Sequence, residues 1–395
     1  MSTNRSTRPD RETLNAFVEL AGPDLWLSRL AEIRRQAEVG PRAGKAILNR
    51  QIAAYTIERA RKGLPVASEA DSRVVALVAG VVATARTLLP DGCARLREQL
   101  RTALTGSGTL VPLLHLFNTA ALQRARGFTV RFPGLEDAAP FDLLIARDAV
   151  EAEIVCEAVS AEEGRPLHRG AWFNLADRID PDLQTWLAAH PGRYVLRVSL
   201  PEGLRDGDGL ARLHERIRHM LACNQRTDHG PAAVLRLDRL MLAGAQANEL
   251  GVLSSLKREF GPEANLAVTT AGGGLFAMAA QAGRENEVAL AICRHMAKVA
   301  SARLSGRRPG ILAMFVDDIG RQEWLGLRDR LELEGEARQF LTTPQARPVV
   351  AVTFASRHEL FDPAKGAADG DLRFRNPAHP SARAPALAPA IASSV

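Results

Sequence analysis

The change of hydrophobic period at Gly106-Ser107-Gly108 constrains this chain most. Before it, apolar residues recur near helical spacing: Leu27, Leu30 and Ile33, then Ile47, Ile52 and Ile57, then runs over 74–89 and 96–104. Gly40-Pro41, Gly63-Leu64-Pro65 and Pro90-Asp91-Gly92 punctuate the run, which predicts a bundle of four or five helices over 1–105. After it, short apolar runs alternate with amphipathic ones. Strands are expected at 127–132, 141–146, 152–160, 194–200, 232–237, 266–270, 275–280, 311–316 and 348–354. Helices are expected at 110–126, 210–221, 287–304 and 322–340. Alternation of this kind argues a mixed α/β or α+β sheet flanked by helices. From Pro363 the sequence is rich in Pro, Ala and Gly, and a disordered tail is expected over 363–395.

Composition narrows the function classes. At 395 residues, 46% hydrophobic and 24% charged, the chain can bury a sizeable core. Cys93, Cys156, Cys223 and Cys293 lie far apart with no C-x-x-C pair, which supports neither a zinc knuckle nor a disulfide framework. Residues 1–11 lack the apolar stretch of a signal peptide, and the run over 74–85 is too short to cross a bilayer. No membrane partner and a cytoplasmic location are therefore expected. A net charge of +6, spread along the chain, permits DNA as a partner without requiring it. Arg34, Arg35, Arg50, Arg59 and Arg61 put basic groups on the helical region, which is also a candidate surface for a protein partner.

Chemistry concentrates at 141–160. Along the expected strand at 152–160, Glu153 and Glu157 share one face of an otherwise apolar segment, and Asp142 opens the preceding strand. A buried carboxylate needs a counter-charge or a metal. Asp142 and Glu157 converging at one sheet end suit Mg²⁺, a hard ion that takes oxygen ligands and keeps several waters. The alternative for Glu157 is an ion pair with an arginine such as Arg165. Glu153 is expected to be an edge-exposed carboxylate, and Asp317-Asp318 a turn signal at a strand end.

The helix over 110–126, the three strands that follow it and the acidic pair resemble the PD-(D/E)xK nuclease superfamily, the restriction-endonuclease-like fold. The resemblance implies metal-dependent hydrolysis of DNA phosphodiesters, with Asp142 and Glu157 as Mg²⁺ ligands and a lysine two residues after the glutamate. If Glu157 is that glutamate, Val159 stands where the lysine belongs, and if Val155-Cys156-Glu157 fills the E-x-K register, both active groups are substituted, so the resemblance implies an altered or inactive site. Lysines are scarce, at positions 45, 62, 257, 298 and 365. Lys298, on the expected helix 287–304 with His295 and Arg303, is the candidate replacement. In this reading a nuclease-like domain spans 106–362, with an insertion at about 164–284. The rival reading is a non-catalytic binding or scaffolding module on the same fold.

Other motifs carry less. His214 and His219 are five residues apart, not the four of a helical zinc pair, and Gly272-Gly273-Gly274 reads as a hairpin turn.

Overall fold

A computed structural model describes residues 11–66, 68–205, 207–240, 249–261, 264–361 and 371–394. Its strands are β1 (Thr129–Arg131), β2 (Leu143–Arg147), β3 (Val150–Ser160), β4 (Arg193–Leu200), β5 (Thr227–His229), β6 (Val234–Arg239), β7 (Asn265–Ala271), β8 (Gly274–Ala282), β9 (Gly310–Asp317), β10 (Val349–Ser356) and β11 (Leu372–Arg375). They form two mixed sheets, ordered β1-β2-β3-β9-β10-β11 and β5-β6-β4-β8-β7, so the protein is a mixed α/β fold. The chain divides into two compact units. The first comprises Met1–Arg34, Asn49–Ala161 and Ala289–Val395, and the second Arg35–Leu48 and Glu162–Val288.

In the first unit β1, β2 and β3 make an antiparallel meander, with Leu143 opposite Ile154. The β2–β3 turn holds Asp148 and Ala149 at φ 49° and 61°, the left-handed pair that a two-residue hairpin demands. β9 runs parallel to both β3 and β10. Every residue of β9 and β10 is buried, and strands covered on both faces read as the continuous apolar runs seen in the sequence. The Val111–Ala125 helix packs against β3 and β9, and its His115 is buried beneath them, donating from Nε2 to the Ala313 carbonyl at 2.9 Å.

The second unit has its own core. Leu175, Ile179 and Leu183 of the Arg169–Ala189 helix meet Leu196, Leu235, Phe276 and Met278 of the five-stranded sheet. The β7–β8 connection is a hairpin, with Gly272 and Gly273 at φ 55° and 76° and Ala271 paired to Gly274. Asp177 accepts from the backbone N–H groups of Arg42 and Ala43 at 3.0 and 2.8 Å, which caps the first turn of the Pro41–Arg50 helix. Its other carboxylate oxygen takes the Arg42 guanidinium at 3.2 Å. A Cβ on Gly40 would lie 2.4 Å from the Asp177 carboxylate, so glycine is required there.

Four expectations are corrected. Among the described residues, the region before Gly106 holds six helices, Arg11–Ala21, Pro23–Ala37, Pro41–Arg50, Ile52–Arg61, Glu69–Thr87 and Pro90–Ala103, because short connections hide breaks in one apolar period. The single helix expected over 322–340 is two, Arg321–Asp329 and Glu332–Leu341, broken where Leu331 takes φ 57°. The tail expected to be disordered over 363–395 contains β11, which closes the sheet edge by antiparallel pairing with β10. Leu372 and Phe374 bury there and outweigh the Pro/Ala-rich composition, while 363–370 and 395 lie outside the described residues. Glu153 is not an edge carboxylate: β3 is an interior strand between β2 and β9, and Glu153 is fully buried.

Candidate functional site

Asp142, Glu157 and Arg303 meet on one side of the first unit's sheet. Asp142 precedes β2, and its backbone N–H donates to the Ile154 carbonyl at 3.0 Å, extending the hairpin by one bond. That bond brings its side chain beside β3, where Oδ2 accepts the Cys156 N–H at 2.7 Å. Glu157 lies farther along β3. Arg303, the last residue of the Val288–Arg303 helix, donates from Nη2 to Asp142 Oδ1 at 2.7 Å and from Nη1 to Glu157 Oε2 at 2.9 Å. Its Nε donates to the Pro140 carbonyl at 2.9 Å, so all three guanidinium nitrogens are engaged. His295 of the same helix sets Nε2 3.7 Å from Glu157 Oε1, beyond a hydrogen bond but within reach of a charge interaction.

Burial and counter-charge divide the two carboxylates. Burial pushes the Asp142 carboxyl above its ordinary range, and Arg303 and the Cys156 N–H recover only part of that shift. Burial also opposes the charge on Glu157, but His295 and Arg303 outweigh it and hold Glu157 below its ordinary range. The two carboxylates in turn hold the Arg303 guanidinium above its ordinary value against burial. The trio is a carboxylate pair bridged by one planar cation, the geometry for which a guanidinium is better suited than an ammonium.

Lys298 does not join them. It is exposed, and among the described residues it forms no ion pair with either carboxylate. The reason is angular: five residues separate Lys298 from Arg303, which places them about 140° apart around a helix of 3.6 residues per turn. The arginine partner of Glu157 is Arg303 and not Arg165. Arg165 is buried against Glu162 in the second unit, where Glu162 also caps the backbone N–H of Arg169 at 2.8 Å.

As arranged, the pair does not fit Mg²⁺. One oxygen of each carboxylate is held by Arg303 and Asp142 Oδ2 by a backbone N–H, so an ion would have to displace the guanidinium. Among the described residues no group of three or more His, Cys, Asp or Glu side chains is placed to hold a metal.

No family model, curated protein or solved structure matches this chain.

A second polar cluster lies where β3, β9 and β10 end. Ser160 donates its hydroxyl to Asp318 at 2.8 Å, and Arg357 donates from Nε to Asp317 at 2.7 Å and from its Nη groups to the carbonyls of Asn49 and Arg50. Asp318 takes φ 56°, a left-handed turn immediately after the strand. Each acid in this pair has a basic or hydroxyl partner, so the cluster ties the helical segment to the strand ends.

Sequence reasoning located Asp142 and Glu157 and placed Arg303 on the right helix, but it did not find the Arg303 bridge. The local hint was a basic residue, Arg303, in the last turn of that helix.

Proposed function

We propose that this chain is a nuclease-like protein whose phosphodiester-hydrolysing site is closed by its own arginine, and that it acts as a non-cleaving binding module. The reading is supported by one observation: the Arg303 guanidinium occupies the point at which Asp142 and Glu157 converge. A cation fixed to the chain supplies the neutralisation that the pair needs when folded. It takes one oxygen of each carboxylate, Asp142 Oδ1 and Glu157 Oε2, that a metal ion would otherwise share.

The experiment compares melting with and without Mg²⁺ or Mn²⁺ for the wild type, Arg303→Met and Asp142→Ala, alongside cleavage assays on linear and single-stranded DNA. The wild type is expected to melt independently of metal and to cleave neither substrate. Arg303→Met removes the cation shared by the two carboxylates and is expected to gain a metal-dependent rise in melting temperature, because an ion that binds only the folded state stabilises it. Wild-type melting that rises with Mg²⁺, with cleavage and with both lost in Asp142→Ala, would overturn the proposal in favour of metal-dependent DNA hydrolysis.

A further inference from the structure

A cavity of about 690 Å³ opens in the first unit between the end of the Glu332–Leu341 helix, the Pro344–Ala346 turn and the loop that follows β11. Arg338, Arg347, Arg375 and His379 line it, and no described Asp or Glu does. Three arginines and a histidine on one cavity give it a cationic lining, of which, among the described residues, only Arg338 has a carboxylate partner, Glu334, and a guanidinium's planar fork matches phosphate oxygens.

The basic groups are only lightly committed elsewhere. Arg338 uses Nε on Glu334 at 2.6 Å, which leaves its Nη groups available. Arg375 makes a long 3.4 Å contact from Nη1 to the Ala382 carbonyl. Arg347 is exposed and has no side-chain partner among the described residues. His379 Nδ1 accepts the Ser381 N–H at 3.1 Å, which places the ring proton on Nε2 as a donor. The loop is held in shape before any ligand arrives: Asn376, nearly fully buried, donates its backbone N–H to the Val350 carbonyl and its side-chain amide to the Val349 carbonyl, both at 2.9 Å. A pre-set loop reduces the ordering cost of binding.

Much of the remaining wall is apolar, with Thr342, Thr343 and Asn376 adding polar groups. Leu341, Pro344 and Pro377 give flat hydrocarbon surface beside the arginines. The volume exceeds what an inorganic anion needs and falls within the range of about 300–1,000 Å³ typical of small-molecule sites. We infer that this cavity binds a phosphate ester of nucleotide size, with the phosphate on Arg338, Arg347 and Arg375 and the ring against Leu341 and the prolines. The inference does not depend on the state of the Asp142–Glu157 pair.

Calorimetric titration of the full chain with AMP, adenosine, inorganic phosphate and a 5′-phosphorylated tetranucleotide tests it. AMP is expected to bind more tightly than phosphate, adenosine to show no binding, and affinity to fall as salt rises. Arg347→Ala is expected to weaken AMP by about tenfold, the loss of one charge-assisted contact, and Arg347→Lys by less. Because the Arg347 side chain makes no bond among the described residues, an unchanged melting temperature separates lost binding from lost structure. Tetranucleotide binding tighter than AMP, with the same loss in Arg347→Ala, assigns the phosphate ester to a strand end and supports the inference. Equal binding of AMP and adenosine, AMP binding indifferent to Arg347→Ala, or no binding of any phosphate overturns it.

Discussion

The fully buried carboxylate of Glu153 accepts both the backbone N–H of Ser305, at 2.9 Å, and the Ser305 hydroxyl. Ser305 lies two residues beyond the end of the helix that carries Arg303, so this contact anchors the helix terminus to β3. The Glu153 N–H donates to the Pro309 carbonyl at 2.9 Å, and Arg308 Nη1 lies 3.7 Å from its side chain. The buried acid is a fastening for the loop that positions Arg303.

Glu153→Ala is expected to destabilise the protein by about 2 kcal/mol, because it removes two hydrogen bonds to Ser305 and leaves a space where a fully buried side chain packed. Ser305→Ala, which removes only the hydroxyl, is expected to cost about 1 kcal/mol. Urea unfolding measures both. Equal, negligible losses would mean that the loop is held by other contacts.

The Arg303 bridge predicts non-additivity. Asp142→Asn and Arg303→Met each remove one side of a partly buried pair, and a double-mutant cycle should return a coupling of about 1–3 kcal/mol. A coupling near zero would show that the two groups do not sense each other in solution.

His115 sets an acid limit. Burial, only partly offset by its bond to the Ala313 carbonyl and by the charge of Glu157, lowers the imidazole from 6.5 to about 4. Its folded value is depressed, so between those two values the unfolded chain binds more protons than the folded one. This contribution is fully present above pH 6.5 and is lost as pH falls towards 4, about 3 kcal/mol in all at roughly 1.4 kcal/mol per pK unit. His115→Gln should flatten the stability profile across that window. A profile identical to wild type would refute the assignment.

Asp177 should be costly to remove from the second unit. Asp177→Ala strips the cap from the Pro41–Arg50 helix and strands part of Arg42, with an expected loss of about 2 kcal/mol. Hydrogen exchange should show faster exchange at Arg42 and Ala43 than at the helix centre. Unchanged exchange at those two amides would count against the cap.

Much of the fold was legible because its signals are local. The all-buried β9 and β10 announce themselves as unbroken apolar runs, and Gly272-Gly273 announces a hairpin because those positions need φ above zero. What escaped depended on partners distant in sequence. Leu372–Arg375 is a strand only because β10 offers an edge to pair with, and the Glu332–Leu341 helix begins anew only because Leu331 turns left-handed.

By itself the sequence determined the alternation of helices and strands, the antiparallel approach of Asp142 towards β3 and the placement of acids on an apolar strand, since each follows from periodicity within a few residues. Only the tertiary structure decided what those acids meet. The sequence pointed to Lys298, but the angle between Lys298 and Arg303 around their shared helix turns the lysine to solvent and the arginine onto both carboxylates. In the same way Glu153, which looks like one more charged strand residue, is buried because β9 pairs along its far side. Electrostatic partnership depends on distances of a few ångströms between segments about 150 residues apart, and no local pattern in the chain encodes them.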